Sequence, residues 1–109
     1  MAKEKLSGLD RAFIPSILPD KGGRLTMVIV KDILKKIEFK QEEHEEYGLT
    51  ENPETGALKW DREKIKLEKE FDIKKAEAEV MKEAVKKLDE KKEWSRYIVD
   101  TCLRIEKLR

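Results

Sequence analysis

The amino-acid sequence predicts a mainly α-helical fold with a small β component: a helical bundle of about four helices with one central β-hairpin. Three observations support this fold class. Apolar residues recur at steps of three and four over 7–18, 24–39 and 65–108, the spacing of amphipathic helices. Glycine and proline clusters interrupt the chain between such stretches. Between 47 and 67 apolar and polar residues alternate around a turn, which is typical of a hairpin.

Length and composition predict a single domain with a thin core. A chain of 109 residues is the usual length of one domain, so we expect 1–109 to form one helical domain that includes the hairpin. Only 39% of the residues are apolar, whereas 45% are charged. Because a partner surface could supply the missing burial, we expect a homodimer or a larger oligomer.

Charge and cysteine content limit the classes of function. The chain has 25 Lys and Arg residues against 24 Asp and Glu residues, so its net charge of +1 creates no field that would attract a polyanion. Cys102 is the only cysteine; it excludes an internal disulfide and favours a reducing compartment. The longest apolar run, 25–30, is too short to span a bilayer, and the N-terminus does not resemble a signal peptide. We expect a cytoplasmic protein that does not bind membranes.

The first helix is predicted over 7–18. Ser7 and Asp10 have the spacing of a capping box, and apolar residues follow them at helical intervals. Pro15 removes an amide donor, so this helix should be short or kinked. Gly22 and Gly23 then predict a turn in which the chain changes direction.

The second helix is predicted over 24–39. Val28 and Ile29 are β-branched and would also suit a strand, but the length of the helical pattern favours a helix. Its apolar face consists of Met27, Val30, Ile33, Leu34 and Ile37. A polar helical turn should follow over 40–46 and end at Tyr47 and Gly48.

The hairpin and the long apolar stripe, which is the helical pattern of apolar residues over 65–108, come next in the chain. In the hairpin, Tyr47 and Leu49 belong to one strand, and Leu58 and Trp60 to the other. Residues 65–67 either add a third strand before a long helix that begins near Lys69, or belong to a helix that begins at 61. Because the apolar pattern loses phase over 89–93, we predict two helices with a break near 91, the second beginning at 94–95.

Side chains that could perform catalysis are scarce. His44 is the only histidine, and the acidic residues beside it on a helix would point in different directions, so we expect no metal site. Cys102 lies on an apolar stripe and reads as a small buried residue. Asp32 and Asp72 are the carboxylates nearest to apolar runs, and both are expected to face outward. We therefore expect a protein that is not an enzyme and that needs no cofactor.

Three groups of residues could bind a partner or a ligand. Lys21 and Arg24 flank the glycine pair before a helix, where backbone amides can hold phosphate, although the spacing is not that of a P-loop. The second group is Trp60 with Arg62, and the third is Trp94 with Arg96 and Tyr97. Tryptophans close to arginines can stack on bases or anchor a protein interface. The candidates are Arg11, Lys21, Arg24, Trp60, Arg62, Trp94, Arg96 and Tyr97.

Residues 6–46 resemble a group of small phage and prophage proteins. The resemblance rests on Leu9-Asp10-Arg11, Ile17-Leu18-Pro19, the predicted helix 27–39, Gln41-Glu42-Glu43-His44 and the Lys-Lys-Leu-Asp-Glu run at 86–90. Those proteins share an opening helix that ends in Ile-Leu-Pro, a second helix and an acidic turn. The resemblance implies a phage origin and binding to a host component in the host cytoplasm, and it assigns no role to any residue.

Three functions fit these observations. The first is a non-enzymatic protein-interaction or oligomerisation module that binds itself and a host protein. The second is an oligomer that sequesters a nucleotide or another small anion between chains. The third is a winged-helix-like nucleic-acid-binding protein with helices at 7–18, 25–38 and 41–46, although glutamates on the would-be recognition helix would repel phosphates. We prefer the first, and the charge pattern argues against nucleic acid as a partner.

Overall fold

Within residues 2–108, which this computed structural model describes, the chain forms five α-helices and two pairs of antiparallel strands. The predicted mainly α fold with a small β component is confirmed. The elements are β1 (Ala2–Ser7), α1 (Gly8–Ile17), α2 (Arg24–Ile37), α3 (Gln41–Tyr47), β2 (Thr50–Glu51), β3 (Leu58–Lys59), a 3₁₀ turn (Lys64–Lys66), β4 (Glu68–Ile73), α4 (Lys75–Glu90) and α5 (Val99–Glu106). None of the helices described in this range is long and apolar enough to cross a membrane.

Helix α1 begins with the predicted capping box. The Asp10 amide donates to the Ser7 hydroxyl at 3.1 Å, and the Ser7 amide donates to the Asp10 carboxylate at 2.9 Å. These bonds satisfy amides that a helix start leaves without partners. Pro15 lies inside the helix, which ends two residues later at Ile17. The helix is therefore short, as predicted.

Helices α2 and α3 also lie where the sequence predicts them. The β-branched run in α2 does not prevent a 14-residue helix, whose buried side includes Val30, Ile33 and Ile37. Helix α3 ends at Gly48, which has a left-handed φ of 66°. A Cβ at this position would lie 2.7 Å from the Cβ of Asp61, so the turn requires glycine for both reasons.

The hairpin is present but shorter than predicted. Strands β2 and β3 contain two residues each and pair Thr50 with Lys59 and Glu51 with Leu58. Tyr47 and Leu49 do not lie in a strand, because helix α3 extends to Tyr47. Residues 65–67 are neither a third strand nor part of a long helix; most of this stretch lies in the 3₁₀ turn, and Ile65 is buried beneath the hairpin.

The predicted helix start near Lys69 is wrong, because residues 68–73 form β4 and pair with β1. Phe71 fits a strand as well as a helix: it alternates with charged residues towards Ile73, and its four-residue spacing from Leu67 also suits a helical turn. The distant N-terminal strand decides between the two structures. Opposite charges face each other in two of its pairs, Lys3 with Asp72 and Lys5 with Glu70.

The break in the long stripe is confirmed. Helix α4 ends at Glu90, and Lys92 has a positive φ of 58°, so the chain leaves the helical direction there. Helix α5 starts at Val99, later than the predicted restart at Trp94, because the residues between them form turns. The two helices pack against each other and share the main core.

The apolar residues form two clusters. The main core lies among α1, α2, α4, α5 and the inner face of β1 and β4; its buried members include Leu6, Ile14, Ile33, Ile37, Met81, Val85, Cys102 and Ile105. A second, smaller cluster lies beneath the hairpin and is centred on Tyr47, Leu49 and Ile65. Helix α1 is next to both clusters, since Ile14 belongs to the first and Leu9 packs on the second.

Substitution of Gly8 by alanine should destabilise the protein, although alanine is the better helix former. A Cβ on Gly8 would lie 2.7 Å from two ring carbons of Tyr47 and 2.9 Å from Cδ1 of Ile65. We expect Gly8→Ala to lower the free energy of unfolding by about 1–3 kcal/mol, the usual cost of overpacking. The matched control is Gly22→Ala, where the new Cβ meets only ordinary contacts. Urea titrations that find Gly8→Ala as stable as Gly22→Ala would contradict this packing.

Candidate functional site

An apolar groove is the main concave feature described within residues 2–108. It lies between the end of α1 with its following turn, the first half of α2, and one side of α4, and it has a volume of about 720 Å³. Its lining residues are Ser16, Ile17, Leu18, Pro19, Asp20, Leu25, Thr26, Ile29, Ala76, Glu79, Val80, Glu83, Ala84, Lys87, Leu88 and Lys91.

The floor of the groove comes from the end of α1 with the turn after it, and from one side of α4. Helix α1 and the turn after it contribute Ile17 and Leu18, both buried. Helix α4 contributes an apolar row at four-residue steps, which follows one side of the helix. The row consists of Ala76, Val80, Ala84 and Leu88. Because Val80 and Leu88 are only partly buried, the floor keeps apolar surface in contact with water.

The α2 rim of the groove exposes large apolar side chains. Leu25 is 74% exposed, and Val28, one turn further along the helix, is 52% exposed. Single exposed apolar residues are common, but here Leu25 lines an apolar groove and Val28 is exposed one turn away from it. A continuous patch of this kind marks a contact surface in many soluble proteins.

The α4 rim is charged and follows a regular order. Glu79, Glu83, Lys87 and Lys91 stand at four-residue steps beside the apolar row, and all four are exposed. None of them forms an ion pair with another residue in 2–108. These charges are therefore available to a partner along the edge of the groove.

Arg11, a binding candidate from the sequence, lies instead in a buried ion-pair network. Its Nη atoms donate to the two Glu43 carboxylate oxygens at 2.7 and 2.8 Å. Its Nε donates to the carbonyl of Ile37 at 2.9 Å, and its Nη2 to that of Glu38 at 2.8 Å. Another Nη1 bond reaches the Tyr47 hydroxyl at 3.3 Å. A guanidinium has five N–H groups, so Arg11 has none left for a ligand.

Aromatic rings surround the same guanidinium. Its central carbon lies 4.6 Å from the ring centroid of Phe39, 5.0 Å from that of Phe71 and 5.6 Å from that of Tyr47. Phe39 and Tyr47 belong to the cluster beneath the hairpin, and Phe71 packs on the main core. Arg11 therefore joins the two clusters, which makes its role structural.

Glu43 is held in its ionised form. The hydrogen bonds from Arg11 are the largest cause that lowers the pKa of Glu43 well below its ordinary value; burial opposes them. The amide of Lys40 and the ammonium of Lys69 add to the lowering. This pair is hard to predict from the sequence, because Glu43 stands in a run of four glutamates and one histidine within the predicted polar helical turn. Its place three residues after Lys40, at a helix start, was the available signal.

The other cationic candidates are exposed. Lys21 lies in the turn before α2, Arg24 is the first residue of α2, and Arg62 lies after the hairpin. Trp60 is partly buried and meets the ring of Phe13 edge to face at 6.0 Å. Trp60 thus packs within the second cluster, while Arg62 remains in solvent.

The third candidate group lies between α4 and α5. The indole of Trp94 donates to the carbonyl of Val85 at 3.0 Å and packs against the main core. Arg96 donates to the hydroxyl of Tyr97 at 3.2 Å, and its guanidinium carbon stands 5.2 Å from the ring centroid. Tyr97 is 65% exposed. The groove lining, all of it within 2–108, contains none of the eight sequence candidates.

His44 and Cys102 do not form a reactive site. His44 is exposed on α3. Cys102 is fully buried, and burial, assisted by the carboxylate of Glu106, raises the pKa of its thiol. The interpretation of Cys102 as a small buried residue is confirmed. Within 2–108, no group of three or more His, Cys, Asp and Glu side chains is placed to hold a metal ion.

Comparisons with protein-family models, with curated proteins and with solved structures find no match. The resemblance to small phage proteins accordingly stays a prediction from the sequence. The groove, its exposed apolar rim and its charged rim are the features from which a function can be argued.

Removal of both partners of the buried pair should cost less than the sum of removing each alone. Arg11→Met leaves the Glu43 carboxylate buried without its main partner, and we expect a loss of about 3–5 kcal/mol in the free energy of unfolding. The double variant Arg11→Met/Glu43→Met should lose less than the sum of its two single variants. Glu46→Gln is the control, because this exposed side chain contacts only Lys69 in the network. Additive losses in a double-mutant cycle by urea titration would contradict the coupling.

The same pair should make stability fall in acid. Since the folded-state pKa of Glu43 lies below its ordinary value of 4.5, its contribution is complete above about pH 4.5 and is lost as the pH decreases below it. Glu43→Gln removes this titration, so its stability should depend less steeply on pH between about 5 and 3. Urea midpoints across this range provide the measurement. Equal slopes for wild type and variant would contradict the lowered pKa.

Proposed function

We propose that this protein is a non-enzymatic interaction module that holds a helix of another polypeptide in the groove between α2 and α4. The observation that carries the proposal is an apolar floor bordered by Leu25, which is 74% exposed. A partner that covered this surface would remove apolar area from water, which is the main favourable term in association.

The length of the groove favours a helix over a small ligand. Its volume is within the range of small-molecule sites. However, its α4 side extends from Ala76 to Lys91, a rise of about 22 Å at 1.5 Å per residue. A small ligand would cover only part of this length. An amphipathic helix would cover it, with apolar side chains on the floor and polar ones between the rims.

The polar chemistry around the groove supports a role without catalysis. The charged lining residues described here stand on the rims in solvent, while the floor is aliphatic. The buried carboxylates of Asp10, Glu43 and Glu77 are each engaged by a cation of the same chain. A general acid or base would need a titratable group facing the bound molecule inside the groove.

The resemblance to phage proteins adds a partner to this proposal. It implies a host protein as one target, met in the cytoplasm of the host cell. The groove provides the kind of surface that such binding needs, and the identity of the target stays a prediction.

Site-specific photo-crosslinking in cells would test the proposal. A benzophenone amino acid at Leu25 or Glu83 should give discrete protein adducts, because both positions border the groove. Leu67 is the matched control, since it is 45% exposed and lies outside the groove lining.

A charge placed in the apolar α2 rim should weaken binding of the partner in the groove. We expect Leu25→Glu to reduce the adduct formed from Glu83 by about tenfold or more, the effect of losing an apolar anchor. Leu67→Glu should leave that adduct unchanged. Adducts of equal yield from Leu25 and Leu67, or none from either groove position, would contradict binding in the groove.

A further inference from the structure

We infer that the groove binds α4 of a second copy of this chain, with the two α4 helices antiparallel about a two-fold axis near residue 85. This inference rests on the proposed function and names the partner of the same site. The observation behind it is the charged rim, whose four residues are complementary to the same four residues read in the opposite direction.

The rim has the order Glu79, Glu83, Lys87, Lys91. An antiparallel copy presents Lys91, Lys87, Glu83 and Glu79 against it, so every position meets the opposite charge. Glu79 faces Lys91 of the second copy and Glu83 faces its Lys87; both pairs are centred on residue 85, which is the requirement of a two-fold axis. A parallel arrangement would instead place like charges together.

The apolar row beside the charges suits the same arrangement. Ala76, Val80, Ala84 and Leu88 lie on the groove side of the charged row. Ala84 is next to the centre of the pairing, where a small side chain lets two helix axes approach closely. Helix axes packed in this way stand about 8–10 Å apart, a separation set by the side chains at the contact.

The position of the four rim charges distinguishes them from charges on an ordinary helix surface. The helix dipole alone favours acids near the start of a helix and bases near its end. Here, however, the four charges border a groove, adjoin partly buried apolar residues and have no ion-pair partner within 2–108. On the opposite rim, Leu25 stands 74% exposed at the place where the second copy would cover it.

Charge reversal provides the test. One variant, Glu79→Lys/Glu83→Lys, has four lysines on the rim; the other, Lys87→Glu/Lys91→Glu, has four glutamates. All four positions are exposed, so circular dichroism should show that both variants fold. We expect wild type to be a dimer by light scattering, and each variant to dissociate with a Kd at least about tenfold higher. An equimolar mixture of the two variants should form a heterodimer.

Further outcomes separate this inference from the proposed function. A variant with all four charges exchanged keeps the complementarity and should dimerise like wild type. A monomeric wild type, or a mixture of the two variants that stays monomeric, would overturn the inference that a second copy occupies the groove. If crosslinks from Leu25 and Glu83 then join a different protein, the proposed function still stands; if the groove positions give no adduct, both fail.

Discussion

Asp10, Glu43 and Glu77 are almost fully buried; each is the third residue of its helix, and each connects the start of that helix to a cation from another element. Asp10, Glu43 and Glu77 accept a backbone N–H from the residue before their helix, which satisfies part of the unpaired helix start. The same carboxylates then receive a charged donor from elsewhere. Arg104 pairs with Asp10, Arg11 with Glu43, and Lys36 with Glu77. The hydroxyl of Thr101 adds a further bond to Asp10 at 2.7 Å.

These pairs explain how a chain with so much charge specifies one arrangement of helices. Arg104 connects α5 to α1, Arg11 connects α1 to α3, and Lys36 connects α2 to α4. Buried ion pairs add little net stability compared with apolar packing, but a wrong arrangement would leave charges buried without partners. Polar bonds thus help to determine which helices meet. The aliphatic residues that remain fill the centre of the bundle and leave one side, the groove, incompletely covered.

Local signals in the sequence predicted local structure, and contacts between distant residues account for most of the differences. The capping box at Ser7, the glycine that ends α3 and the break near Lys91 depend on neighbouring residues, and all three were predicted. Strand β4 was not, because Phe71 fits two periodicities and its partner strand lies more than sixty residues away. Arg11 was selected as a possible ligand contact because a sequence does not show which cation becomes buried. The groove likewise arises from three segments that only the tertiary structure brings together.

The pairing of β1 with β4 also has a consequence for biosynthesis. Strand β1 is translated about sixty residues before its partner β4, which begins at Glu68. During that interval an unpaired strand edge could pair with other nascent chains. The alternation of lysine and glutamate in Ala2–Ser7, with Leu6 as its single large apolar residue, opposes such pairing through charge. Two of these charges, Lys3 and Lys5, later face Asp72 and Glu70 in β4, so the residues that oppose pairing with other chains also favour the correct pairing in the finished protein.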